Sequence, residues 1–85
     1  MKHDTLIADE VLRQFAYSIG DMRYDKLCDF VKALAVKIDL DAANDIAAGR
    51  EKLGQRLRDA STALYDAVDL IADAWDICES KMNNA

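Results

Sequence analysis

Few side chains in this chain are able to do chemistry. The single histidine, His3, lies ahead of the first helical pattern, and the two cysteines, Cys28 and Cys78, lie far apart. A catalytic imidazole needs a second residue to orient it and a pocket that excludes water. His3 has neither prospect and reads as a terminal residue; the same placement removes phosphorelay on a bundle helix. Zinc needs Cys and His clustered at short spacing, and no such cluster exists. Gly20, Gly49 and Gly54 are not spaced as a phosphate-cradling loop. No Asp-rich calcium loop with a central glycine is present. No serine follows an aspartate and precedes a leucine, the setting a carrier protein needs for its prosthetic group: Ser18 precedes Ile19, Ser61 lies between Ala60 and Thr62, and Ser80 is near the end. The sequence therefore assigns no catalytic residue, no cofactor and no metal site.

Two charged sets remain. Asp66, Asp69, Asp73 and Asp76 step by three, four and three along one helical face. Four carboxylates in a row could hold a divalent cation. Metal sites in bundles, however, point their carboxylates inward and pair them with helical histidines. These four lie opposite the apolar residues, so a solvated face is the preferred reading. Its one functional use is as an acidic docking face, because spaced carboxylates mimic a row of phosphates for a basic partner. Arg50, Lys52, Arg56 and Arg58 form the opposite set and suggest a helix that touches nucleic acid. Glu51 and Asp59 dilute it, and no helix-turn-helix joint is visible. A net charge of -5 opposes the counterion release that drives phosphate binding. Pairing with neighbouring carboxylates is the preferred reading, with a nucleic-acid-binding regulator as the alternative. Trp75, Tyr65 and Tyr24 could line a ligand pocket, but at helical spacing on an apolar face they read as core. Small-ligand binding near Trp75 and Cys78 is the weaker alternative. The cysteines read as two free thiols serving as small hydrophobes rather than as one disulfide.

The elements that carry these residues follow from composition and period. Hydrophobic residues make up 52 % and charged residues 32 %, with no proline and only 3 glycines. That mixture excludes a disordered tail, a collagen-like chain and a turn-rich sandwich, and predicts a single all-α domain over 1-85. Asp4 is placed to cap a helix over about 5-19, with Leu6, Val11, Leu12, Phe15 and Ile19 on one face. Gly20 is expected to end it in a left-handed conformation. Asp21 is expected to cap a second helix over about 22-39, striped by Tyr24, Leu27, Val31, Leu34 and Ile38. The short joint predicts that these two are antiparallel neighbours.

From Asp41 onward the apolar residues Ile46, Leu53, Leu57, Ala60, Leu64, Ala67, Ile71, Ala74 and Cys78 form a seam at helical spacing. This predicts a third helix over about 42-82. A break near Gly49 and Gly54, or within 59-62, is the alternative to a continuous or kinked rod. From Leu64 to Cys78 apolar residues cover most of the circumference, which predicts a place at the centre of the fold. The predicted architecture is thus a small helical bundle, with two shorter antiparallel helices packed on a long C-terminal helix.

Length then bears on assembly. A rod of 40 residues spans about 60 Å, while the first two helices reach only about 25 Å. The uncovered seam at Ile46, Leu53, Leu57 and Leu64 is expected to meet a second chain, giving a homodimer and/or a complex with another protein. No run approaches the roughly 18–20 apolar residues that span a bilayer. The start, MKHDTLIADE, is too interrupted by charge for a secretory signal, so a cytoplasmic location is expected. The function these features predict is a non-enzymatic, acidic helical interaction module of regulator, adaptor or inhibitor type. Small bacterial or phage proteins share this character, by analogy only.

Overall fold

A computed structural model describes residues 8–83, so His3 and the expected Asp4 cap lie outside the described residues. Every regular element among them is helical: α1 (Asp9–Gly20), α2 (Tyr24–Ala47) and α3 (Glu51–Asn83). The long C-terminal helix packs on the two shorter ones, and nearly all of that packing is made by α2.

Each helix end has a local cause. Asp9 and Glu10 put negative charge in the first turn of α1, where the dipole favours it. Gly20 does not take the expected left-handed conformation. It stays helical, and α1 closes through Asp21, whose N–H donates to the Tyr17 carbonyl at 2.9 Å. Nor does Asp21 cap α2. Arg23 holds that position without a side-chain cap bond, and its guanidinium forks onto Asp25 at 2.7 and 2.8 Å.

For the third expected helix the structure takes the alternative, a break near Gly49, rather than the continuous rod. Residues 42–47 belong to α2, which runs straight through the Asp39-Leu40-Asp41 punctuation. These aspartates do not interrupt the helix because each is paired: the half-buried Asp41 with Lys37 one turn earlier, the exposed Asp39 with Arg58 of α3 at 3.5 Å. The chain turns at Ala48–Arg50 instead. Gly49 takes φ 86°, a conformation that carries a steric penalty for residues with a Cβ. The Gly49 N–H donates to the Ile46 carbonyl and the Arg50 N–H to the Asp45 carbonyl, the paired bonds of a Schellman closure. The Arg50 side chain clamps the same turn by donating to Asp45 Oδ1 at 2.8 Å. The expected rod over 42-82 is therefore a 33-residue helix preceded by a reversal.

After that reversal α2 and α3 run antiparallel, and small residues line their contact. Ala42 meets Gly54, Ala35 meets Ser61, and Cys28 meets Val68. The spacing is seven on both helices, which keeps one side of each facing the other. Ser61 Oγ donates to the Ala35 carbonyl at 2.8 Å, so the two backbones approach closely. A Cβ on Gly54 would lie 2.5 Å from Ile46 Cγ1 and 2.8 Å from the Ala42 carbonyl oxygen. The fully covered hydrophobic side chains among the described residues are the small Ala35 and Ala42.

The molecule is a thin plate, 55 × 27 × 13 Å between Cα extremes. Its radius of gyration is 16.0 Å, against about 12 Å for a compact chain of this length. The stretch Leu64–Cys78 is therefore not at the centre of anything larger. With essentially one helix packed along it, α3 leaves Leu70 70 % and Ile77 59 % exposed.

Candidate interaction face

The small-residue line sorts every other side chain on the pair. Residues just before it on α2 are Leu27, Leu34 and Asp41, with Val31, Ile38 and Asp45 on the same flank. Their counterparts on α3 are Leu53, Ala60 and Ala67, with Leu57, Leu64 and Ile71 beside them. Because the helices are antiparallel, both flanks fall on one broad face of the plate. Residues just after the line form the opposite face: Asp29, Lys32, Val36 and Asp39 from α2, and Gln55, Arg58, Thr62, Tyr65, Asp69 and Asp76 from α3. One face is thus apolar from Leu27 to Ile38 and from Leu53 to Ile71, with the paired Asp41, Asp45 and Arg50 only at its reversal end, and the other is mostly charged, crossed by the Asp39–Arg58 pair.

The apolar face is only partly covered. Leu34 is 42 % and Leu53 41 % exposed, while Leu27, Val31, Ile38, Leu57, Leu64 and Ile71 are half-buried by each other. Phe30 extends the face at its α2 edge. On α1, Val11, Leu12 and Phe15 are also exposed, although they share one side of an amphipathic helix. Apolar surface gathered this way is the mark of a site that another surface covers.

The residues singled out from the sequence fall on this frame as follows. Leu53, Leu57 and Leu64 lie together on the apolar face. Ile46 does not project beyond the fold; it belongs to α2 and packs near Gly54 at the reversal. Asp66, Asp69, Asp73 and Asp76 are all exposed, on the charged face and the outer edge of α3. Among the described residues no group of three or more His, Cys, Asp or Glu is arranged to hold a metal ion. The basic set is dispersed. Arg50 is bound to Asp45, Arg58 to Asp39 and Arg56 to Asp59 at 3.8 Å, while Lys52 borders a shallow cleft with Ile46, Glu51 and Gln55.

At the other end of the plate, Gly20, Met22, Arg23, Tyr24, Trp75 and Cys78 line an open cleft of about 360 Å³. The Arg23 guanidinium sits over the Trp75 ring, 5.3 Å from its centroid. Its hydrogen bond to Asp25 raises the affinity of Arg23 for its proton and holds the Asp25 carboxyl below the usual carboxylate range. Both thiols are free. Burial pushes the Cys28 thiol up, and its S–H points to the Val68 carbonyl at 3.6 Å.

Sequence reading alone missed the line of Ala35, Ala42, Gly54 and Ser61. Its signal was present, since small residues recur at intervals of seven on two neighbouring segments. That signal becomes legible only once the reversal at Gly49 is known. Among the described residues no helix is long and apolar enough to cross a membrane. No family model, curated protein or solved structure matches the chain.

Proposed function

We propose that this protein is a non-enzymatic helical interaction module, of regulator, adaptor or inhibitor type, that works by having its apolar face covered by another protein surface. Self-association and the binding of a further partner are both uses of that face. One observation carries the reading: a single helical layer with one apolar side. Folded domains bury such a side between two layers, and the described residues supply only one. The exposed acidic stripe on the outer edge is then a docking face for a basic partner.

A photoreactive residue in place of Leu34 tests the reading in native lysate, with the same residue in place of Thr62 as the control. Covalent adducts heavier than the chain at 34 and none at 62 are the expected result. A chain that stays free at both positions removes the interaction role.

A second reading, small-ligand binding, draws on the cleft around Trp75 and Cys78. Nothing there demands a polar ligand: among the described residues no buried side-chain nitrogen or oxygen lacks a partner, and Arg23 is already met by Asp25. Quenching of the single tryptophan by a metabolite is the measurement that would promote it. The nucleic-acid alternative needs free cations, and Arg50, Arg56 and Arg58 each stand beside a carboxylate.

A further inference from the structure

We infer that the surface covering the apolar face is a second copy of this chain, laid face to face so that two α2–α3 hairpins close into an antiparallel four-helix bundle. The inference rests on the interaction reading above and names the occupant. Three observations support a copy over other occupants.

The first is area. The chain exposes 6751 Å², whereas a compact monomer of 9.5 kDa exposes roughly 5,000 Å². The excess, shared between the loosely packed α1 and the α2–α3 face, is larger than the roughly 800 Å² that each partner contributes to a standard interface. It is of the size that obligate homodimers cover.

The second is length. The nearest alternative cover is the chain's own α1. With 12 residues it spans about 18 Å, while the 24 residues of α2 and 33 of α3 span about 36 and 50 Å. The tight joint at Gly20–Arg23, held by the Asp21 N–H on Tyr17 and the Met22 N–H on Ile19, also anchors α1 at one end of the hairpin. A second hairpin matches the length of the apolar stretch, which ends short of Asp41 and Asp45 at the reversal.

The third is self-complementarity. A two-fold axis brings the same patch onto itself. Here that patch is a broad apolar face without charge at its centre, formed by Leu27, Val31, Leu34, Leu57, Leu64 and Ile71. Like charges on the opposite face stay in water in such a pairing. Four-helix bundles of antiparallel helices with short loops are built in this way.

Light scattering coupled to size exclusion of the full chain at micromolar concentration tests the assembly. The expected mass is about 19 kDa, twice the 9.5 kDa chain. Leu34→Glu is expected to bring the mass down to that of one chain. Val36→Glu, on the opposite face, is expected to leave it unchanged. The thermal midpoint of the unaltered protein is expected to rise with protein concentration. If Leu34→Glu fails to fold, this concentration dependence decides alone. A single-chain mass with a cooperative, concentration-independent melt overturns the inference, and so does a trimer or larger assembly. A monomer that still forms adducts from position 34 loses only the second copy; a monomer without adducts loses the interaction reading as well.

Discussion

Ser61 of α3 donates its hydroxyl to the backbone carbonyl of Ala35 on α2 at 2.8 Å, and both residues are essentially without solvent exposure. A side-chain oxygen as short as that of serine reaches a neighbouring helix backbone only when the two helices nearly touch. This contact therefore sets the distance between the helices, and with it the flatness of the plate and the exposure of its apolar side.

Ser61→Ala removes that hydrogen bond while keeping the space filled. The loss of about 1 kcal/mol for a neutral hydrogen bond is offset by a few tenths from the better helix propensity of alanine. Ser61→Val keeps the loss and adds volume where none is free, at about 1–3 kcal/mol for overpacking. Chemical denaturation followed by circular dichroism is expected to rank the variants wild type, alanine, valine in falling stability. Equal stability of the two variants would mean that the helices can separate freely at this layer.

Gly54→Ala sets two effects against each other. Inside a helix alanine is better than glycine by about 1 kcal/mol. At this position its Cβ would lie 2.5 Å from Ile46 Cγ1 and 2.8 Å from the Ala42 carbonyl oxygen. Ile46 could rotate away, but the carbonyl is backbone and moves only with α2. The clash is expected to win, and a lower thermal midpoint is the predicted result. A raised midpoint would show that the close approach of the helices at Ala42 is absent in solution.

Cys28 is expected to make stability depend on pH on the alkaline side. Burial raises its folded-state value above the ordinary thiol value near 8.5. A group raised in this way contributes its full stability below the unfolded value and loses it as pH climbs through the folded value. Stability is thus expected to fall as pH rises above about 8.5, and Cys28→Ala is expected to flatten that fall. Alkylation at mildly alkaline pH is expected to modify Cys78, at the cleft, before Cys28. Simultaneous labelling of both thiols in folded protein would show that the half-buried Cys28 is not held against Val68 in solution.

Asp69→Asn is expected to leave folding almost untouched, within about 0.5 kcal/mol for an exposed position. The residue faces water on the charged side, and removing one of several like charges relieves mild repulsion. If the stripe docks a basic partner, that binding weakens while the melt does not move. A large loss of stability on this change would show that the stripe is internal to the assembled protein.

The sequence by itself determined the all-helical class, because the absence of proline and the three-and-four spacing of Leu27, Val31 and Leu34 leave no other regular structure. It also located the apolar set of α3 and the outward acidic stripe, since a helical period decides which residues share a side. The sequence offered a break near Gly49 as one of several places for a reversal, and tertiary structure decided among them. Asp39-Leu40-Asp41 and Ala48-Gly49-Arg50 are both acceptable helix ends locally. The second wins because it lets Ala42 and Ala35 meet Gly54 and Ser61, and only a reversal at Gly49 places those small residues opposite one another. The same contact decided that Leu34, Leu53 and Leu64 share a single uncovered face. Periodicity states which residues are neighbours on one helix, but the relation between two helices depends on how closely their backbones can approach.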